Sequence, residues 1–325
     1  MAHPYNHASK AWFGAAKALL LSLRHLSDLM VYMPAPTPAF KSVALIGLYN
    51  ARQSAETLVS LAGFLIGQGC SVMVEAETAG NCGFTRYPVA DYAQIGAGAD
   101  LAVVLGGDGS MLSAARHLAA YRVPLVGINQ GRLGFMTDIA IGNMLESMGQ
   151  LLAGRFSLEE RTMLDAEVMR AGDRLMSTRG LNDVVVNKGA VGRLIEFLVH
   201  IDAEFVYDLR SDGLIVATPT GSTAYSLSSN GPILQPNVPG FTLVPICPHT
   251  LSNRPITVSD SSCIEITLKR AVDARLHFDG RPQCDLQEGD RVTIRRAEHT
   301  ITFVHPPGYS YYAMLREKLH WSGMY

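Results

Sequence analysis

Three glycines surround one carboxylate in Gly106-Gly107-Asp108-Gly109, at the end of an apolar run, Leu101-Ala102-Val103-Val104-Leu105. Residues 111–120 then read as a helix, so the glycines fill a strand-to-helix turn. Without Cβ atoms such a turn lets a diphosphate lie against the backbone, where amide N–H groups and the positive end of the helix meet its oxygens. A carboxylate repels phosphate, so Asp108 needs another purpose. Its chemistry is that of a general base, taking the proton from a substrate hydroxyl. Taken alone, the segment also allows Asp108 or Ser110 simply to cap the helix.

A second stretch rich in small polar groups runs from Asp212 to Gly231. A strand-like Gly213-Leu214-Ile215-Val216-Ala217 feeds Thr218-Pro219-Thr220-Gly221-Ser222-Thr223-Ala224-Tyr225-Ser226, a hydroxyl-rich turn before a short helix. Its backbone amides and hydroxyls suit ribose or amide groups, although Ser222 or Thr223 could equally be a helix cap. Some chemistries are missing. There is no G-x-x-x-x-G-K-[ST] loop and no G-x-G-x-x-G after a strand, which argues against P-loop kinases and Rossmann dehydrogenases. The ten histidines are scattered without metal-ligand spacing, and His249 in Pro248-His249-Thr250 reads as a hydrogen-bonded structural residue.

The elements needed to position these groups are visible in the hydrophobic pattern. From Ser42 the chain alternates: strand 43–48, helix 55–67, strand 71–75, helix 89–95, the strand before the glycines, helix 111–121, strand 123–128, and a helix over 143–153. This predicts an α/β domain over residues 42–157 with a doubly wound parallel sheet, its Gly-Gly-Asp-Gly loop at the carboxyl ends of the strands, where such sheets bind ligands. Beyond residue 158 the period changes to two, over 164–169, 194–201, 263–268 and 291–294, predicting a mostly antiparallel β domain over 158–325. A last helix over 311–319 is expected to return to the first domain. Residues 1–41 read as an extension and a Pro-rich linker outside the fold. Their apolar stretch, 15–23, is too short and too charged to span a bilayer.

Composition narrows the partners. The 325 residues are 48% apolar and 17% charged, which suits two globular domains. A net charge of −2, from 27 basic and 29 acidic residues without long runs, gives no electrostatic footprint for nucleic acid or a membrane surface. Five cysteines without a C-x-x-C pair fit reduced thiols in a cytoplasmic protein.

With these residues in view, the chain from about Ser42 to Trp321 resembles the bacterial NAD kinases. Four blocks match in order: Gly106-Gly107-Asp108-Gly109; Gly127-Ile128-Asn129 with Gly134-Phe135-Met136-Thr137-Asp138; Ser211-Asp212-Gly213 running into Thr218 to Ser226; and Pro248-His249-Thr250-Leu251-Ser252-Asn253-Arg254-Pro255. Diacylglycerol and sphingosine kinases, and more distantly phosphofructokinases, resemble the first block alone. The third is specific. The resemblance implies transfer of the γ-phosphate of ATP to the adenosine 2′-hydroxyl of NAD, with a divalent cation such as magnesium and a homo-oligomer, dimer or tetramer. It implies Asp108 as the base with Gly109 beside the NAD, and Asn182 and Asp183 holding it. Arg193, Arg210 and Asp212 would line the dinucleotide site, and Thr223, Ala224, Tyr225, Ser226, Leu227 and Ser228 would enclose it.

The sequence departs from the family pattern twice. Asn182-Asp183 stands where the family often has Asn-Glu, one methylene longer. Asp279-Gly280-Arg281 stands where Asp-Gly-Gln is usual, and Arg281 cannot accept a hydrogen bond as a glutamine carbonyl does. Two other readings are a lipid kinase of the diacylglycerol type, sharing only the glycine block, and a non-catalytic NAD-binding regulator. Retention of Asp108 among phosphate-binding glycines speaks against the second.

Overall fold

A computed structural model of the chain describes residues 38–47, 52–83, 86–131, 134–189, 193–250 and 252–321. The expected extension over residues 1–37 lies outside them. The packed chain begins upstream of Ser42: Phe40 is buried in the first core and packs on Phe156 with ring centroids 5.2 Å apart, while the Lys41 N–H donates to Asp100.

The first sheet is built on Ser42–Gly47, with Ser71–Glu75 and Leu101–Leu105 as parallel neighbours and Leu125–Asn129 beyond the latter. These strands carry little polar–apolar alternation because both faces are covered. Val43, Leu45, Leu101, Val103 and Leu105 point into one apolar cluster, under the helices Arg52–Gly67 and Met144–Leu152. Ala44, Ile46, Ala102 and Val104, one residue out of phase, point into another with Met111, Leu112, Ala115 and Leu118 of the helix Asp108–Leu118. Period two thus divides one apolar run between two cores.

Two local readings are corrected. The pattern over 89–95 is not one helix: Val89–Ala90 is a short strand beside Val74 and Glu75, and the helix Tyr92–Gly98 starts only after Asp91, whose side chain forms a capping box with Gln94. An unforeseen helix, Ala76–Cys82, follows the second strand. It is capped by Glu75 and ended by Gly83 in the left-handed region, at φ 66°.

The second half is two six-stranded antiparallel sheets. Their inner faces share one core, with Val184, Val216, Phe241 and Phe278 from one sheet and Ala166, Phe197, Ile266 and Ile294 from the other. The outer face of the first of these sheets is also buried, through Val185, Ile215, Ala217, Val244 and Ile246, so Gly213–Ala217 shows no alternation. The chain then returns to the first sheet by a strand, Ile301–His305, parallel to Leu125–Asn129 and antiparallel to Ser157–Arg161. The helix expected to make that return, Tyr311–Lys318, follows it, and its Tyr311 hydroxyl donates to the Leu234 carbonyl in the second half.

Candidate active site

Asp108 is the first residue of its helix, with Gly107 as the extended cap residue and no side chain capping the N-terminus. The capping reading of Asp108 and Ser110 therefore falls. The Asp108 carboxylate instead crosses to the next loop, where one oxygen accepts from the Phe135 N–H at 2.9 Å and the other from the Met136 N–H at 3.0 Å. Gly134 makes this approach possible, because a Cβ there would stand inside the Asp108 carboxylate. The second sequence block holds that loop. The Thr137 hydroxyl accepts from Asn129 Nδ2 at 2.8 Å and from the Gly134 N–H at 3.0 Å, and a Cβ on Gly127 would lie 2.8 Å from the Met136 carbonyl. Asp138 pairs with the buried His305, whose ring stacks on Tyr309 at 3.7 Å.

Asn182 and Asp183 are buried at the start of the strand Asp183–Lys188. The hydroxyl-rich turn folds against them: the Thr218 N–H donates to the Asn182 carbonyl at 2.9 Å, and the Thr218 hydroxyl to the Leu181 carbonyl at 2.6 Å. Gly221 fits only without a side chain, since a Cβ would overlap the Asn182 backbone. Ser222 ties Pro219 to Leu234, so its hydroxyl is structural, and the Thr223 hydroxyl donates to the Thr220 carbonyl. Ser226 is fully buried, yet neither its Oγ nor Asn182 Oδ1 has a hydrogen-bond partner among the described residues. Tyr225 is 43% exposed, and burial together with the charges of Cys247, Asp212 and Asp183 raises its hydroxyl pKa. Asp212 is paired with Lys188 at 2.8 Å.

Sequence reasoning assigned no role to Asp279, on which this half turns. Its buried carboxylate accepts from the N–H groups of Leu181 at 3.2 Å, Asn182 at 2.7 Å and Asp183 at 3.4 Å, and from Arg116 of the helix Asp108–Leu118 at 2.7 Å. Burial and the Asp279 charge push the Asp183 carboxyl up to about 7. An Asp-Gly turn signal was legible at 279–280, but its partners lie far away in sequence.

A cleft of about 260 Å³ opens beside the glycine turn, bordered by Gly109, Ser110 and Ser113, by Gly47, by Glu77 and by Arg281. Arg193 and Arg210 are not brought there. They line a separate hollow of about 380 Å³ with Glu196 and Arg270, where Arg210 stands 3.8 Å from Glu196.

The chain matches the ATP-NAD kinase N-terminal domain over residues 43–156 and the ATP-NAD kinase C-terminal domain over residues 181–306. It is 56% identical over 294 residues to the NAD kinase of Aromatoleum aromaticum, covering 90% of this chain and 98% of that one. The chain belongs to the ATP-NAD kinase family. A second family member, the NAD kinase of Azoarcus sp., is 54% identical over 286 residues, covering 88% and 97% of the two chains. Among solved family structures, yeast NADH kinase complexed with NADH superposes with a TM-score of 0.81 at 25% identity, over 89% of this chain and 90% of that one. An Archaeoglobus fulgidus NAD kinase in complex with ATP shares the fold, with a TM-score of 0.68 at 23% identity over 86% and 98%. These matches span both halves, which the lipid-kinase reading does not explain.

No three His, Cys, Asp or Glu side chains converge on a metal position among the described residues. No helix among the described residues is long and apolar enough to cross a membrane.

Proposed function

We propose that this chain is an ATP-dependent NAD kinase in which Asp108 accepts the proton of the adenosine 2′-hydroxyl as that oxygen attacks the γ-phosphate of ATP. The observation that carries the reading is the way Asp108 is held: two backbone N–H groups fix its carboxylate beside the glycine turn, and no helix cap consumes it. Phosphoryl transfer asks a protein mainly for positioning and for charge stabilisation. The Gly107 and Gly109 backbone and the helix start supply the second, while Asn182, Asp183, Asp212 and the turn through Thr223, Ala224, Tyr225, Ser226, Leu227 and Ser228 supply the first. The unpartnered Asn182 Oδ1 and Ser226 Oγ support a polar ligand there, since buried polar atoms normally find partners. A magnesium ion bound with ATP would neutralise charge on the phosphates, with Glu77 among the side chains that border the cleft.

We also infer a homo-oligomer. Arg193 and Arg210 lie outside the Asp108 cleft, a placement that suits a site completed by a second copy. The free thiols at Cys70, Cys82, Cys247, Cys263 and Cys284 favour a cytoplasmic location. The test is direct: purified protein with ATP, magnesium and NAD is expected to form NADP with equimolar ADP, and to leave diacylglycerol unphosphorylated. Tight NAD binding without NADP formation would support the non-catalytic regulator instead.

A further inference from the structure

The second sequence block ends in Asp138, two residues beyond the Met136 whose N–H holds the Asp108 carboxylate. The Asp138 side chain is 13% exposed and pairs with Nδ1 of His305, the last residue of the strand Ile301–His305. An ionised carboxylate only accepts, so Nδ1 carries the proton of this bond. The partners are 167 residues apart, and the contact therefore pins the loop from the far end of the chain. Nearer restraints, from Asn129 and Gly134 through Thr137, all lie within the segment 129–137 itself. His305 adds a fixed point outside that segment.

His305 is itself closely held. It is buried, and its strand is paired with Ser157–Arg161 along its whole length. The ring lies flat on Tyr309, with an interplanar angle of 5°, and edge-on to Phe303 at 6.4 Å. Nε2 has no hydrogen-bond partner among the described residues and stands 3.9 Å from Glu159, whose carboxylate is paired with Arg161. Arg161 is buried too: its guanidinium lies 5.1 Å from the centre of the Phe303 ring and donates to the Thr220 hydroxyl at 3.3 Å, in the hydroxyl-rich turn. A buried cluster of this kind adds little net stability, because desolvation offsets the attraction. What it supplies is a ring in one place and one orientation.

We propose that His305 is a positioning residue for the phosphoryl transfer: its bond to Asp138 sets the loop 134–138, which in turn holds the Asp108 carboxylate. The proposal rests on the NAD kinase reading and adds to it a residue that acts through the loop. His305→Leu removes the donor and is expected to lower kcat about ten- to a hundredfold, since a drift of about 1 Å in a reacting group is enough for that. The KM values for ATP and NAD stay within about threefold of the wild type. His305→Asn restores most of the rate because its Nδ2 takes the place of the ring Nδ1, whereas His305→Gln, whose amide reaches the Nε2 position, does not. Asp138→Ala lowers kcat as His305→Leu does, and the double variant loses no more than either alone. Hydrogen exchange of the full chain, without nucleotide, reads the same anchor without turnover: segment 134–138 is expected to exchange about tenfold faster in His305→Leu, while Leu101–Leu105 keeps its protection. Asp138 is only partly buried, so Asp138→Ala carries both measurements where His305→Leu does not fold. Equal rates for the Asn and Leu variants, additive losses in the double variant, or protection lost equally in both segments would each overturn the proposal and leave His305 a core residue. Should the wild type form no NADP while exchange responds as described, the kinase reading fails and the anchored loop stands.

Discussion

Replacing Asp108 by asparagine separates chemistry from architecture in a way the geometry makes quantitative. The two carboxylate oxygens each accept one N–H, from Met136 and Phe135. An asparagine carbonyl can keep one of these bonds, but its amide then turns N–H toward the other N–H. One hydrogen bond is lost and a half-buried donor is left unmatched, a penalty of about 1–3 kcal/mol in stability. The loss of a positioned general base is larger and falls on the rate: about two to four orders of magnitude in kcat, or roughly 3–5 kcal/mol of transition-state stabilisation. NADP formation under saturating substrates, NAD affinity by calorimetry and the melting temperature together resolve the two effects. The expected result is a kcat lowered at least a hundredfold, a melting temperature lowered by a few degrees, and NAD still bound. Turnover within tenfold of the wild type would refute Asp108 as the base. Loss of NAD binding and of rate in equal measure would make it a structural pin for the 134–136 loop.

The other expectations test the supports of the site. Gly134→Ala removes no functional group but drives a methyl into the Asp108 carboxylate and displaces it, so kcat is expected to fall at least tenfold with NAD affinity kept; normal turnover would mean that the carboxylate position is not critical. Gly221→Ala presses on the Asn182 backbone and is expected to weaken NAD binding more than ATP binding, as separate titrations would show. Arg116→Leu strips a 2.7 Å partner from the fully buried Asp279 and is expected to cost about 2–3 kcal/mol in urea unfolding, less than a bare buried charge because three N–H donors remain. Asp183 carries a folded-state pKa of about 7 against 3.8 for the free group, so the native state binds the extra proton and stability falls as pH rises from about 4 to 7. Asp183→Asn is expected to flatten that segment of the stability profile, and an unchanged slope would assign the titration elsewhere.

Much of the fold could be read locally, and the failures have local causes. Leu101–Leu105 is uniformly apolar because two cores claim its alternate residues, and that run alone indicated a buried parallel strand. Ala76–Cys82 escaped notice because Ala-Glu-Thr-Ala-Gly-Asn-Cys has no apolar period; the Glu75 carboxylate stabilises it by capping. The helix start at Asp91 was signalled by Gln94 three residues later, but the apolar Val89-Ala90 masked it. For the site, glycine spacing pointed to Asp108, and Gly134 and Gly221 mark close backbone approaches to it and to Asn182. The sequence could not show that Arg193 and Arg210 share a hollow away from Asp108, since strand pairing across the second half decides that.

Asp279 explains why the two halves of the site act together. The helix Asp108–Leu118 carries Arg116 two turns after Asp108, so the helix that bears Asp108 also holds the carboxylate that accepts from Leu181, Asn182 and Asp183. The electrostatics follow from the same contact. Burial disfavours ionisation of Asp183, and the Asp279 charge beside it adds to the effect. With its carboxyl pushed up to about 7, Asp183 can near neutral pH donate a hydrogen bond as well as accept one. The raised Asp183 and the Arg116 ion pair thus meet at one carboxylate, Asp279, which links the start of the strand Asp183–Lys188 to the helix Asp108–Leu118.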